Sequence, residues 1–254
     1  MNIRVLGYNG SIGSDRHTTA FLIDDDILVD AGTGVCNLSI EEILGIRHVF
    51  LTHSHLDHVT GIPLMIDSIF SQVETPVTIH ARRETLAALK KHIFNWEIWP
   101  DFSVLPKLDH PVMRLEELAP GDSLTLGERT IHSIPVNHVV PAVGYRVEVP
   151  GGAFAFSGDT TTNDSFWDGL NRFDRLDLLV VEAAFPDKDI EISRLAGHYC
   201  PRLLAADLPK LRHRPKVYLT HPKPGAEDTI VRECQAQIAD FAIAGLKGGK
   251  IFHI

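Results

Sequence analysis

Three cysteines in 254 residues, Cys36, Cys200 and Cys234, are too few and too scattered for a disulfide framework, and no two form a C-x-x-C pair. That excludes the small disulfide-stapled scaffolds and fits a reducing cytoplasm. Cys200 follows His198 closely and reads as a small buried hydrophobe rather than a ligand. No run of about 18 consecutive apolar residues is present, so no membrane span is expected. Positive charge is scarce: 24 Lys and Arg stand against 33 Asp and Glu, a formal net charge of −9. That balance argues against a broad electrostatic grip on long nucleic acids. A small anionic substrate is not, because bound divalent cations would reverse the local field. There is no solenoid repeat and no low-complexity linker. Met1 to Leu6 reads as a first strand, not a signal peptide.

What is there is an alternation of strand and helix patterns. The length suits one α/β domain over 1–254, with two sheet layers between helices as the simplest account. Strands are expected at 3–6, 19–23, 27–30, 48–52 and 77–80, then near 112–115, 123–126, 130–135, 143–149, 153–157, 178–181 and 216–219. Helices are expected at 39–45, where Ser39 is an N-cap, and at 61–71, 82–93, 163–171, 201–211 and 227–244. The stretch 94–110 breaks the pattern. It holds Phe94, Trp96, Trp99 and Phe102 among prolines, and reads equally as a satellite core or as a substrate or dimer contact. A homodimer through it is possible on this reading.

The chemistry concentrates in residues 52–58, T-H-S-H-L-D-H, directly after the apolar run His48-Val49-Phe50-Leu51. Strand ends in α/β folds gather ligands. His53, His55, Asp57 and His58 are donors that divalent metals accept, and four in so short a turn cannot all face one ion. The spacing suggests two ions side by side, at roughly 3.5–4 Å, a device for activating water and clamping ester oxygens. Further donors come singly at strand ends: His138, Asp159 and His221. The assignment puts His53, His55 and His138 on one metal and Asp57, His58 and His221 on the other. Asp159 bridges both, since a carboxylate can use two oxygens. A water or hydroxide between the metals would be the nucleophile. Zinc is the first choice of ion, with manganese and iron as alternatives.

The T-H-S-H-L-D-H run, the lone His138, S-G-D-T at 157–160 and Thr220-His221 together resemble the metallo-β-lactamase fold superfamily. That resemblance implies an αββα four-layer sandwich and a metal-dependent hydrolase. Within it, Glu182 in V-V-E-A-A-F, Gly197-His198 before Pro201, and Thr220-His221-Pro222-Lys223-Pro224 resemble segments of class II cyclic-nucleotide phosphodiesterases and of ribonuclease Z. Cys200 departs from the resembled loop, and the long Gly- and Pro-rich arm of many ribonuclease Z enzymes is not seen. His198 is read as the phosphate-contacting acid and Glu182 as its orienter. Capping of the helix near Pro201 is the competing role for His198. Asp57 counts among the catalytic residues as well as the ligands. Lys223 is either a point charge for a phosphate oxygen or a solvated lysine.

The expected function is hydrolysis of a small phosphodiester, with a 3′,5′-cyclic nucleotide as the first candidate. An RNA-processing nuclease of the ribonuclease Z type shares the chemistry. A thioester or lactone hydrolase would leave Glu182 and His198 unexplained. A binding protein with a vestigial site would not need all seven metal-donor side chains.

Overall fold

The computed structural model describes residues 1–254. It is mixed α/β, with two seven-stranded sheets and one two-stranded ribbon. The chain divides into two compact units. One comprises Met1–Tyr8, Ile12–Ala119 and Gly248–His253; the other comprises Asn9–Ser11, Pro120–Lys247 and Ile254. No helix is long and apolar enough to cross a membrane.

The first unit begins β1 (Asn2–Gly7), β2 (Ala20–Ile23), β3 (Ile27–Val29), α1 (Ile40–Gly45) and β4 (His48–Phe50). It continues α2 (Leu56–Val59), α3 (Gly61–Ile69), β5 (Val77–Ala81), α4 (Arg83–His92), the ribbon β6 (Pro106–Lys107) and β7 (His110–Pro111), and β8 (Met113–Glu117). Its sheet runs Ile251–His253, β1, β2, β3, β4, β5, β8. The pairs β3–β4, β4–β5 and β5–β8 are parallel. Such strands are buried on both faces, which is why β3 reads as a short apolar run and the Thr and His of β5 are buried. Val49, Leu51 and Ile79 pack with Ile62, Ile66 and Leu89 of the helices in one core. Ser39 starts α1 with a full capping box to Glu42. The strand expected at 48–52 ends at Phe50. The extra turn α2, not foreseen, lies inside the histidine motif itself.

The second unit carries β9 (Ser123–Leu126), β10 (Arg129–Pro135), β11 (Val143–Val149), β12 (Gly152–Phe156), α5 (Ser165–Leu170) and β13 (Leu178–Glu182). Then come α6 (Ile190–Ala196), α7 (Pro201–Asp207), β14 (Lys216–Thr220), α8 (Glu227–Gln237) and β15 (Ile243–Gly245). The sheet order is β15, β14, β13, β12, β11, β10, β9. The run β12 to β15 is parallel, so these strands end on the same side. Phe166, Trp167, Leu204 and Ile230 pack onto Leu179, Val181 and Val217. Two expectations need correcting. The helix expected over 227–244 stops at Gln237, because Ile243 is taken as a strand partner by Val217. Helix α6 forms where none was expected.

The segment 94–110 resolves into two roles. Phe94 and Phe102 are buried and Trp99 packs on the same core. Trp96, Ile98 and Leu108 are 63%, 66% and 77% exposed.

Candidate metal centre and the Glu182–His198 pair

In the first unit the motif is organised by Asp30, which the sequence pattern shows only as the end of a strand. The register Val29↔Phe50 sets residue 30 beside the chain leaving β4. Asp30 is fully buried, at a φ of 57°. A non-glycine residue held in the left-handed region is strained and points to function. Its Oδ1 accepts from Thr52 N at 2.8 Å, and its Oδ2 accepts from Thr52 Oγ1 at 2.8 Å. Its Oδ2 also lies 2.7 Å from His58 Nδ1. Since the Thr52 hydroxyl hydrogen goes to Asp30, Thr52 Oγ1 is left to accept from His53 Nδ1 at 3.0 Å. One carboxylate thus orients two imidazoles, one directly and one through a threonine. Burial pushes the Asp30 carboxyl up, against the opposing pull of His58.

His53 and His58 are fully buried, with ring centroids 4.2 Å apart. His55 sits edge-on to His53 at 4.7 Å. His55 is the N-cap of α2 without capping through its side chain. Asp57, half-buried in α2, has Oδ2 3.8 Å from His58 Nε2. All four expected donors of this motif are therefore gathered by one turn.

In the second unit, Asp159, Glu182 and His221 follow or end the parallel strands β12, β13 and β14. The register pairs Glu182 with Thr220 directly. His221 takes a φ of 62°, and its Nδ1 lies 3.3 Å from Asp159 Oδ1. His138, beyond β10, has Nδ1 2.8 Å from the Gly197 carbonyl oxygen, which can only accept. Gly197 ends α6 at a φ of 69°, and a Cβ there would press on Val139 and on His138 Nδ1. No other residue would hold that carbonyl so close to the imidazole.

Glu182 and His198 form a pair as close as Asp30 and His58, with Oε1 2.7 Å from Nδ1 and both side chains buried. Backbone amides of Thr160 and Tyr199 donate to the two Glu182 oxygens, at 2.9 and 3.3 Å. Ser157 Oγ accepts from the Glu182 amide. Burial raises Glu182, opposed by His198; burial lowers His198, but Glu182 outweighs it and His198 is raised. His198 does not cap α7: that helix takes Cys200 as its N-cap residue, with no capping hydrogen bond from the side chain. The imidazole instead stacks on His221 at 5.1 Å and 25°, and lies 5.1 Å from His138. Cys200 is a buried thiol, as expected.

The donor chemistry fits divalent cations on one geometric ground. Nδ1 of His53, His58 and His138 each meets an oxygen, so Nε2 is the ring nitrogen that a cation would take. Metal-ligating histidines are held in this way.

A family model described as Beta-lactamase superfamily domain matches residues 26–221. A probable 3′,5′-cyclic-nucleotide phosphodiesterase of Yersinia pestis is 29% identical over 65% of this chain and 51% of its own length. The chain thus spans about half of that relative. A ribonuclease Z of Haloarcula marismortui is 24% identical over 87% of this chain and 86% of its own length. Unliganded yeast PDE1 superposes with a TM-score of 0.83 at 20% identity, covering 100% of this chain and 99% of that one. A metallo-β-lactamase fold protein of Bacillus subtilis, YhfI, gives 0.80 at 20% identity, with 99% of each chain covered. The expected α/β fold of this type is therefore the fold found.

Proposed function

The chain belongs to the β-lactamase superfamily domain family, and we propose that it is a dinuclear-metal phosphodiesterase acting on a small diester, first of all a 3′,5′-cyclic nucleotide. On this reading His53, His55 and His138 are assigned to one ion and Asp57, His58 and His221 to the other, with Asp159 as the bridge because a carboxylate offers two oxygens. Divalent ions held there, zinc before manganese or iron, would activate water and stabilise charge building on the phosphoryl oxygens.

The chain's own residues do the rest. Asp30 and Thr52 fix the tautomers of His58 and His53. Glu182 fixes His198, so that Nε2 of His198 is the atom that meets the departing oxygen and carries its proton. Asp57 stands both as a ligand and beside the reacting atoms. The observation that carries the reading is the buried Glu182–His198 pair, in contact with His138 and His221. Thioester or lactone hydrolysis gives that pair no task. A ribonuclease Z activity is the second reading, favoured by the Haloarcula relative and opposed by the −9 charge. The setting we infer is cytoplasmic.

The test is a substrate panel with metal-loaded protein: cyclic AMP and GMP, a precursor transfer RNA, and a thioester. Turnover of a cyclic nucleotide is expected. Cleavage of the RNA without cyclic-nucleotide turnover selects the second reading, and thioester turnover alone sinks both.

A further inference from the structure

Lys223 follows His221 by two residues, and its surroundings are not those of a solvated lysine. Its amide donates to Ala184 O at 2.9 Å, which pins the backbone beside β13. Its ammonium is part-buried, donates to Gly10 O at 3.0 Å and stands 6.0 Å from the Phe185 ring. No carboxylate pairs with it, although acids outnumber bases in this chain and Lys90 and Lys210 both find one. An ammonium has three donors, and one carbonyl uses one of them.

Gly10 brings a second group to the same place. Its amide donates to Pro222 O at 3.3 Å. A Cβ on Gly10 would come within 2.9 Å of the His221 ring, so only glycine lets this turn lie against that imidazole. The next residue, Ser11, has a buried Oγ with no hydrogen-bond partner. Buried hydroxyls are almost always satisfied, and an exception calls for a reason. Phe185 also flanks His198, at 5.9 Å.

We propose that Lys223 and Ser11, joined through the Gly10 turn, form the docking point for a non-bridging oxygen of the substrate phosphate, so that this site selects an anionic diester over a neutral ester. The proposal rests on the phosphodiesterase reading. It gives the unpaired ammonium a counter-charge and the hidden hydroxyl an acceptor, beside the imidazole assigned to the leaving oxygen. Lys supplies a point charge there, whereas a neutral carbonyl of an ester or thioester would leave it uncompensated.

The experiment uses metal-loaded wild type, Lys223→Met, Lys223→Arg and Ser11→Ala. Four quantities are read: metal per chain, the Kd of inorganic phosphate by calorimetry, and kcat and KM for bis-p-nitrophenyl phosphate. Lys223→Met is expected to keep its metal, weaken phosphate roughly tenfold and raise KM alike, as loss of one charge-assisted hydrogen bond does. Lys223→Arg should recover most of the affinity, and Ser11→Ala should shift it less in the same direction. An unchanged phosphate Kd in both Lys223→Met and Ser11→Ala overturns the proposal. So does loss of metal from Lys223→Met, which would make Lys223 only a strap holding Gly10 against His221. Failure of wild type to bind phosphate also overturns it. The phosphate measurement needs no turnover: Lys223-dependent binding without diester hydrolysis would remove the functional reading and leave the anion site standing.

Discussion

At the scale of single residues, the positions the sequence displayed were those with two coordinates of information: a donor side chain and a motif. His53, His55, Asp57 and His58 announced themselves by crowding, and His138, Asp159 and His221 by falling after apolar runs. Asp30 did not, because its role depends on the pairing of β3 with β4, which brings it beside Thr52. An Asp between a strand and Ala31-Gly32 looks like any turn residue. Yet its carboxylate orients both His53 and His58. Asp30→Asn is expected to lower metal affinity about 10–100-fold in a folded protein, as loss of such supporting contacts does; chelator competition would read it. An unchanged affinity would mean that the imidazoles hold their orientation without it. His198→Ala should lower diester turnover by about 10²–10⁴ with metal content intact. Metal loss from that variant would instead make His198 a support of the neighbouring proposed ligands His138 and His221.

At the scale of elements, periodicity located the parallel strands and the longer helices well, since burial on both faces or on one stripe is written directly in the apolar pattern. It failed where two elements compete for the same residues. Ile238, Phe241 and Ile243 extend the apolar pattern of α8, but the edge of β14 draws Ile243 into β15 instead. The segment 94–110 could not be resolved either, because an aromatic residue reads alike whether it faces in or out. Asn95 settles it locally: its Oδ1 accepts from the amides of Glu97 and Ile98, and Trp96 is turned out at a φ of 68°. A bulky residue in that conformation is strained. Trp96, Ile98 and Leu108 are the surface we expect any homodimer to use. Changing Trp96 and Ile98 together to serine should turn a dimeric sedimentation profile into a monomeric one. A wild type that sediments as a monomer removes the dimer, and a dimer that survives the change lies elsewhere.

At the scale of the whole molecule, composition narrowed more than it identified: the three cysteines are free, no helix is long and apolar enough to cross a membrane, and the −9 charge argues against a broad grip on long nucleic acid. Among the groups that link its stability to pH is His80. Burial, with His48 beside it, holds His80 at about 4, below its ordinary 6.5. Protonation then favours the unfolded chain, so this contribution is complete above pH 6.5 and is lost as the pH falls from there toward 4. His80→Gln should flatten that part of the acid dependence in thermal melts of metal-free protein; equal slopes in both proteins would refute the assignment. The central claim, two ions serving phosphodiester hydrolysis, is tested most directly by titrating metal-free protein with zinc while following bis-p-nitrophenyl phosphate turnover and bound metal together. Turnover should climb until about two equivalents are bound per chain and then level off, as a two-metal site requires. Two tightly bound equivalents with no diester turnover, or full turnover at one, would contradict the account.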